Sequence, residues 1–270
     1  MHHTPIRLLA LDMDGTLLRS DRSVSPRNQA AVAACLDCGI TVLLATGRAY
    51  PAAAPYLEYW PGRPIWLAPC NGAQLFAPGE QQPVLERALA LDLTREVLSW
   101  VDREGLSARV YFTTLVLINQ VTEQTIDFMR RLGPQCRHEP KLSSAVTDPP
   151  FKIVLMGDPA DMPALEAEVL ARWGGRMEVT SSEPDLLEIT APGATKGEAV
   201  RALAARLGID RSQVAAIGNA RNDLSMITWA GLGAAVANAD EAVLAEAPRV
   251  VPENDADGVA EFIASFLPSL

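Results

Sequence analysis

The stretch IRLLALDMDGT, residues 6–16, decides how the rest of the chain is read. Residues 6–11 form a short and almost wholly apolar run, which is typical of a strand buried on both faces of a parallel sheet. Asp12, Asp14 and the pair Gly15-Thr16 follow that run directly. Ligands of an open parallel sheet bind outside the carboxyl ends of its strands. The sequence therefore places acidic side chains where such a sheet would hold a ligand.

Other apolar runs also lead into small polar groups. Thr46-Gly47-Arg48 follows residues 40–45, Asn71-Gly72 comes shortly after residues 65–68, and residues 214–217 lead into GNARND, residues 218–223. Residues 234–236 and 249–251 complete the predicted strands, and Ser25-Pro26 predicts the start of a helix between the first two strands. Strands that alternate with helices predict an α/β fold, a Rossmann-like parallel sheet core with helices on both faces.

The middle of the chain has a different pattern. Helical periodicity covers residues 91–104, 122–132 and 159–173, and candidate strands lie at 108–112, 115–119, 152–156, 177–181 and 186–189. We therefore expect an inserted α+β domain over residues 83–190, with hinges near Pro78-Gly79 and Pro192-Gly193. Residues 1–82 and 191–270 would then form one α/β core.

Composition and charge limit the classes of partner. The chain of 270 residues is 49% hydrophobic and 21% charged, which is typical of a globular protein. Its 23 Lys and Arg against 33 Asp and Glu give a net charge of −10, without a basic cluster. We therefore expect neither nucleic acid nor an anionic membrane surface as a partner. A small anionic substrate is compatible with this charge, because a bound divalent cation can dominate the local field.

Cysteine usage and the apolar runs predict a location. The four cysteines suit reduced thiols in an intracellular protein. Cys35 and Cys38 are spaced as C-x-x-C but lie in a helical stretch, where we expect them to pack. Residues 1–5 do not open a basic leader followed by an apolar run, and no apolar stretch reaches the roughly 18 residues of a membrane span. The cytoplasm is the predicted compartment.

The acidic pair after the first strand indicates a reaction type. Asp12 and Asp14 repel each other unless a cation offsets their charge. Mg²⁺ suits this task because it prefers oxygen ligands and takes only a few of them from the protein. A carboxylate beside a phosphoryl group is a nucleophile that yields an aspartyl-phosphate, and a second carboxylate can protonate the leaving group and then activate water. The pair thus indicates phosphoryl transfer, with Mg²⁺ as cofactor.

A phosphate group also needs a binding site. Thr195-Lys196-Gly197-Glu198 has the pattern of a capping box at the start of a helix. Lys196 would then lie in the first turn, where its ammonium and the helix N-terminus both favour an anion. The Thr46 hydroxyl and the Gly47 backbone N–H are further candidates for binding phosphate.

Together these motifs resemble those of the haloacid dehalogenase superfamily. Residues 12–16 match its D-x-D-G-T signature, and residues 45–48, 195–197 and 218–223 look like its second, third and fourth motifs. Their order, with Asn71-Gly72-Ala73 and a large insert between the second and third motifs, is similar to that of the Cof-like phosphatases, which carry an α+β cap. The resemblance covers nearly the whole chain.

The resemblance also implies residue roles. It implies Asp12 as the nucleophile, Asp14 as the general acid and base, and Thr46 and Lys196 as phosphate ligands. Mg²⁺ would be held by a carboxylate oxygen of Asp12, the backbone carbonyl of Asp14 and residues of the fourth motif. The inserted cap would close over the site and select the leaving group.

One residue departs from the family pattern. The fourth motif usually reads G-D-x-x-N-D, and Asn219 stands where its first Asp, normally a direct Mg²⁺ ligand, is expected. An amide oxygen can coordinate Mg²⁺ but brings no negative charge. We therefore expect a weakened site that relies on Asp12, the Asp14 carbonyl, Asn219 and Asp223.

Four further residues have two interpretations each. We assign Arg48, Asn71 and Asn222 to substrate binding, with a surface position, a tight turn and helix capping as the respective alternatives. Lys152, in the insert, could reach toward a substrate, but we do not include it in the predicted site.

The function that follows is a Mg²⁺-dependent phosphatase for a small phosphorylated metabolite such as a sugar phosphate. The alternative, motivated by Asn219, is a weakly active or non-catalytic protein that binds phosphorylated metabolites. Phosphoryl transfer to a second acceptor is a third interpretation, but nothing in the sequence specifies an acceptor site.

Overall fold

The computed structural model describes residues 5–132 and 135–267. The prediction for residues 1–5, that they do not open a basic leader, therefore lies outside the described residues except at Pro5. The strands are β1 Leu8–Asp12, β2 Thr41–Ala45, β3 Ile65–Ala68, β4 Gln74–Leu75, β5 Leu85–Glu86, β6 Ser107–Tyr111, β7 Val116–Ile118, β8 Cys136–His138, β9 Lys152–Met156, β10 Glu178–Thr180, β11 Leu186–Thr190, β12 Val214–Gly218, β13 Leu232–Val236 and β14 Val250–Val251. The helices are α1 Pro26–Asp37, α2 Tyr50–Ala53, α3 Leu91–Glu104, α4 Glu123–Leu132, α5 Leu142–Ala145, α6 Met162–Trp173, α7 Lys196–Leu207, α8 Leu224–Ile227, α9 Glu241–Glu246 and α10 Gly258–Ala264.

The core sheet has the strand order β14-β13-β12-β1-β2-β3, and every pair in it is parallel. Strand β1 lies near the centre and is fully buried, because alternate side chains pack into apolar layers on the two faces of the sheet. Helices α1 and α10 cover one face and α7 and α8 the other. The predicted α/β core with helices on both faces is confirmed.

A second sheet, which we call the cap sheet, is formed by strands of the insert in the order β10-β11-β9-β6-β7-β8. Its pairs are antiparallel except β7 with β8. One face packs against α3 and α6, where the rings of Trp100 and Trp173 meet at 5.3 Å. The opposite face carries Arg109, Tyr111, Lys152 and Glu188, which turn toward the core sheet. The insert therefore has the expected α+β composition.

Several element boundaries differ from the sequence reading. Helix α3 has the predicted bounds, whereas α6 begins at Met162 rather than at residue 159. The short strand β8 and the hairpin of β4 with β5 were not predicted. Both lack the apolar run on which strand prediction depends, since β8 reads Cys-Arg-His and the hairpin strands have two residues each.

In the described part of the chain, the helices are all too short or too polar to cross a bilayer. The cytoplasmic location stays a prediction.

Candidate active site

The loop after β1 holds the first acidic pair. Asp12 is the last residue of the central strand and is buried. Gly15 adopts a φ of +73°, and a Cβ there would lie 2.7 Å from the side chain of Asn219, so both backbone and space require glycine. The Asp14 side chain is half-exposed, and both of its carboxylate oxygens accept from Arg48, at 2.6 and 2.7 Å. The two aspartates are thus close in sequence but have different partners.

Lys196 joins the first and fourth motifs. It is the first residue of α7, whose N-cap Thr195 accepts a hydrogen bond from the Glu198 N–H as the capping pattern predicts. The buried Lys196 Nζ donates to Asp12 Oδ1 and to Asp223 Oδ1, at 2.6 Å each. One ammonium group is therefore the shared counter-charge of two buried carboxylates.

This arrangement leaves an excess of negative charge at Asp12. Burial and the neighbouring Asp223 raise the pKa of Asp12 to about 7, against the opposing attraction of Lys196. Asp223 is better satisfied, because its Oδ2 also accepts from the backbone N–H groups of Asn219 and Ala220. A further positive charge beside the second oxygen of Asp12 would complete the balance.

Asn219 lies at that second oxygen. With its amide oxygen inward, Oδ1 accepts from the Thr16 hydroxyl at 3.0 Å. With the amide turned over, Nδ2 lies 3.0 Å from Asp12 Oδ2, 2.9 Å from the Asp14 carbonyl oxygen and 3.0 Å from Thr16 Oγ1, and donates toward them. The neighbouring oxygens favour the second orientation, because an inward Oδ1 faces other acceptors.

The second motif lies at the carboxyl end of β2. The buried Thr46 Oγ1 accepts from the Arg48 N–H at 3.1 Å. The carbonyl of Gly47 accepts from Lys152 Nζ at 2.5 Å. The Arg48 guanidinium also stacks over the Tyr56 ring, 4.7 Å from its centroid. The loop is thus fixed by side chains from the core and from the cap sheet.

Asn71 and Asn222 form a chain of polar contacts behind the loop. Asn222 Nδ2 donates to Asn71 Oδ1 at 3.1 Å, and Asn71 Nδ2 donates to Glu188 Oε2 at 2.6 Å. Asn71 has a φ of +57°, which asparagine tolerates in a tight turn. The buried Asn222 Oδ1 has no protein partner among the described residues.

These groups surround a cavity of about 580 Å³ between the two sheets. Of the predicted site residues, the cavity is lined by Asp12, Asp14, Gly47, Arg48, Lys196, Asn219 and Asn222. Thr46, Asn71 and Asp223 support these side chains and are not among the described lining residues. The convergence of four distant segments at one edge of the sheet is what the motif order predicts.

The cap side of the cavity contains residues outside the predicted site. It is lined by Arg109, Tyr111, Phe128, Lys152, Leu186 and Glu188, among others. Arg109 lies 4.2 Å over the Phe128 ring, and its buried Nε has no partner among the described residues. A charged residue inside an apolar strand, as in Leu-Leu-Glu-Ile-Thr of β11, was the sequence signal for Glu188.

The residues available for a metal are few. Within the described ranges, no three His, Cys, Asp or Glu side chains come together as ligands. The oxygens that converge are Asp12 Oδ2, the Asp14 carbonyl and Asn219 Oδ1 when it faces inward. Their spacing from the inward Asn219 atom, 2.9–3.0 Å, equals the edge of an oxygen octahedron whose ligands lie about 2.1 Å from Mg²⁺. The geometry therefore fits Mg²⁺ in one of the two amide orientations.

Comparisons with known proteins support the motif reading. The sequence model of the haloacid dehalogenase-like hydrolases matches residues 9–263. The chain is 27% identical to phosphatase YwpJ of Bacillus subtilis, over 97% of this chain and 100% of YwpJ. It is 28% identical to the 5-amino-6-(5-phospho-D-ribitylamino)uracil phosphatase YcsE of the same organism, over 96% and 94%. A crystal structure of a haloacid dehalogenase-like hydrolase from Bacteroides thetaiotaomicron has a TM-score of 0.84 at 28% identity, covering 97% and 100% of the two chains.

Proposed function

The chain belongs to the haloacid dehalogenase-like hydrolases, in their Cof-like phosphatase branch, and we propose that it hydrolyses small phosphate monoesters through an aspartyl-phosphate on Asp12. One observation carries the proposal: Asp12 lies on the floor of the cavity between the two sheets, with one oxygen held by Lys196. Its other oxygen faces Asn219. A nucleophile oriented in this way loses little entropy before it attacks phosphorus.

The proposed reaction has two chemical steps. The phosphoryl group binds beside Lys196 and the Thr46–Gly47–Arg48 loop, and Asp12 attacks it in line with the leaving oxygen. Asp14 protonates that oxygen, then removes a proton from the water that hydrolyses the aspartyl-phosphate. Both oxygens of Asp14 pair with Arg48, and we propose that Arg48 releases them by turning toward the bound phosphoryl group.

Mg²⁺ is the proposed cofactor. Asp12 Oδ2, the Asp14 carbonyl and the Asn219 amide oxygen would hold it, and the excess negative charge at Asp12 supports the assignment. Bound there, the ion would neutralise charge on the transferring phosphoryl group. Asp223 stays a predicted ligand, although its oxygens accept from Lys196 and from two backbone N–H groups.

A weakly active, phosphometabolite-binding protein is the second candidate. It is favoured by the Asn219 side chain. When the amide nitrogen faces inward, it donates toward Asp12 Oδ2 and the Asp14 carbonyl oxygen, so these oxygens are satisfied without a cation. The two candidates share the substrate class and differ in turnover.

The substrate class rests on the cavity and the relatives. A cavity of about 580 Å³ admits a small metabolite, and YcsE is by its name a phosphatase of a small phosphorylated uracil derivative. We propose a sugar-phosphate-like metabolite, with residues 83–190 acting as the cap that selects it and the cytoplasm as its compartment.

Phosphate release from a chromogenic phosphate ester, with and without Mg²⁺, tests the proposal. We expect Mg²⁺-dependent release that is lost in Asp12→Asn, whose amide is nearly isosteric but cannot attack phosphorus. A panel of phosphorylated metabolites then ranks the natural leaving groups. Release that Asp12→Asn leaves intact would refute the mechanism, and binding without release would favour the second candidate.

A further inference from the structure

A buried ion pair on the cavity face of the cap sheet links the cap to the core. Lys152 on β9 and Glu188 on β11 are diagonal neighbours on one face of the antiparallel pair, because Lys152 lies opposite Thr190. Lys152 Nζ donates to Glu188 Oε1 at 2.8 Å, and the two side chains are 2% and 3% exposed. Both charges are therefore removed from water almost completely.

Both partners reach across to the core. Lys152 Nζ also donates to the carbonyl of Gly47, and the second carboxylate oxygen of Glu188 accepts from Asn71. A Cβ on Gly47 would lie 3.2 Å from Asn71 Oδ1, 3.4 Å from Glu188 Oε1 and 3.5 Å from Lys152 Nζ. Because its φ is not in the left-handed region, this glycine provides space for the ion pair rather than backbone freedom.

The pair stays charged at neutral pH. Burial lowers the pKa of Lys152, but Glu188, Tyr111 and Cys70 together outweigh it and leave the pKa above its ordinary value. Burial likewise raises the pKa of Glu188, but Lys152 and the Asn71 hydrogen bond bring it below its usual range. A buried ion pair is often no more stabilising than apolar residues of the same volume, so stability alone is a weak explanation for it.

The contacts concentrate on one peptide unit. The carbonyl of Gly47 is held by Lys152, and the N–H of the same peptide, on Arg48, is held by Thr46 Oγ1. We propose that Lys152 and Glu188 are positioning residues that set the Thr46–Gly47–Arg48 loop in its phosphate-binding shape only while the cap sheet lies against the core. Cap closure and phosphate binding are then coupled through this pair, an inference that rests on the proposed function of the loop.

The charge-neutral variant Lys152→Met/Glu188→Gln separates positioning from stability. Each single variant leaves one buried charge without its partner and should lower the melting temperature, whereas the double variant should recover most of that loss. The Glu188→Gln change retains an acceptor for Asn71, but the Lys152→Met change leaves the Gly47 carbonyl without its donor. We expect the double variant to bind inorganic phosphate, measured by calorimetry, about 10- to 100-fold more weakly than the wild type, and to lose kcat on p-nitrophenyl phosphate by a similar factor.

A second ion pair between cap and core provides the matched control. Glu166 on α6 accepts from Arg221 at 2.9 and 3.1 Å, with side chains that are 22% and 44% exposed, and it does not contact the Gly47 peptide. Glu166→Gln should keep wild-type phosphate affinity and kcat. An equal loss in Glu166→Gln would mean that any weakened cap contact suffices, and it would overturn the assignment to Lys152 and Glu188.

The outcomes for the inference and for the proposed function are distinct. A double variant with wild-type phosphate affinity and kcat overturns the inference while the phosphatase function stands. If the wild type releases phosphate from no ester, the proposed function fails, and the phosphate titration still decides the inference. If the double variant does not fold, Lys152→Leu/Glu188→Gln, which also leaves the Gly47 carbonyl without its donor, is measured in the same way and judged by the same criteria.

Discussion

At the scale of single residues, one buried ammonium balances two carboxylates. Lys196 donates to both Asp12 and Asp223, and neither carboxylate is appreciably exposed to water. Lys196→Met would leave two like charges buried without a counter-charge. We expect a loss of about 3–5 kcal/mol in the free energy of unfolding, measured with urea, together with loss of phosphate binding.

The exposed Lys141→Met is the control for that change, and its effect should stay within about 0.5 kcal/mol. A Lys196→Met protein as stable as the wild type would show that Asp12 and Asp223 are not charged together in the folded state.

Asn219 stands where the resemblance to the family implies an aspartate. In the absence of a cation, its Nδ2 can donate to Asp12 Oδ2 and to the Asp14 carbonyl, which an aspartate cannot do. Asn219→Asp should therefore lower the melting temperature without Mg²⁺ and increase the rise in melting temperature that Mg²⁺ produces. It should also lower the Mg²⁺ concentration for half-maximal hydrolysis, because a carboxylate offers this hard cation more charge.

Both readouts are needed, since the melting temperature reports on metal binding without turnover. If Asn219→Asp has the same stability without Mg²⁺ and binds the ion no better, residue 219 does not contact the metal.

The sequence predicted the core residues of the candidate site, whereas of the cap residues it singled out only Lys152, without assigning it to the site. Asp12, Lys196 and Asn219 follow apolar strands or begin a helix, so local pattern places them at one edge of the sheet. Glu188 and Arg109 lie inside strands of the insert, and their contact with the core depends on how the two sheets meet. The hydrophobic periodicity of one segment carries no information on how the cap sheet packs against the core sheet.

At the scale of elements, α1 explains the C-x-x-C spacing. Cys35 lies on the buried face of this helix, and Cys38, at its C-cap, is exposed. Burial raises the pKa of Cys35 and of Cys70 to about 12, and it also raises the pKa of Cys136. We expect one fast-reacting thiol, Cys38, when the native protein is treated with iodoacetamide at pH 8, since the thiolate is the nucleophile.

Mass mapping of the alkylated peptides checks this expectation, and alkylation in urea, where all four thiols should react, is the control. A Cys35–Cys38 disulfide in the untreated protein would contradict the packing role and restore the redox interpretation.

Elements with a strong hydrophobic period were predicted best. Helix α3 has an apolar stripe of Leu93, Val97, Leu98 and Val101 and ends at Gly105 in the left-handed conformation, so both its length and its end were evident. Strand β8 pairs only at the edge of the cap sheet and has two exposed polar residues. Its existence depends on the neighbouring strand rather than on its own residues.

At the scale of the whole molecule, the core and the cap line different sides of the cavity. The core edge carries the groups assigned to phosphate and metal, and the cap wall carries Phe128 and Arg109. Phe128→Ala should therefore change the ratio of the KM values for different phosphate esters by about 10-fold, while the affinity for inorganic phosphate stays the same.

Phe112 directly follows strand β6 of the cap sheet and is not among the described cavity residues, so Phe112→Ala should leave the relative KM values unchanged. If Phe128→Ala weakens the binding of all esters and of inorganic phosphate by the same factor, Phe128 stabilises the cap and does not select the substrate.

The central claim is that Asp12 receives the phosphoryl group, and trapping the aspartyl-phosphate tests it most directly. The protein is mixed with p-nitrophenyl phosphate and Mg²⁺, quenched in acid within the first turnover and mapped by peptide mass spectrometry. We predict one added phosphoryl group on the peptide that contains Asp12, and none on that peptide in Asp12→Asn. A phosphoryl group on another residue, or undiminished turnover by Asp12→Asn, would contradict the account.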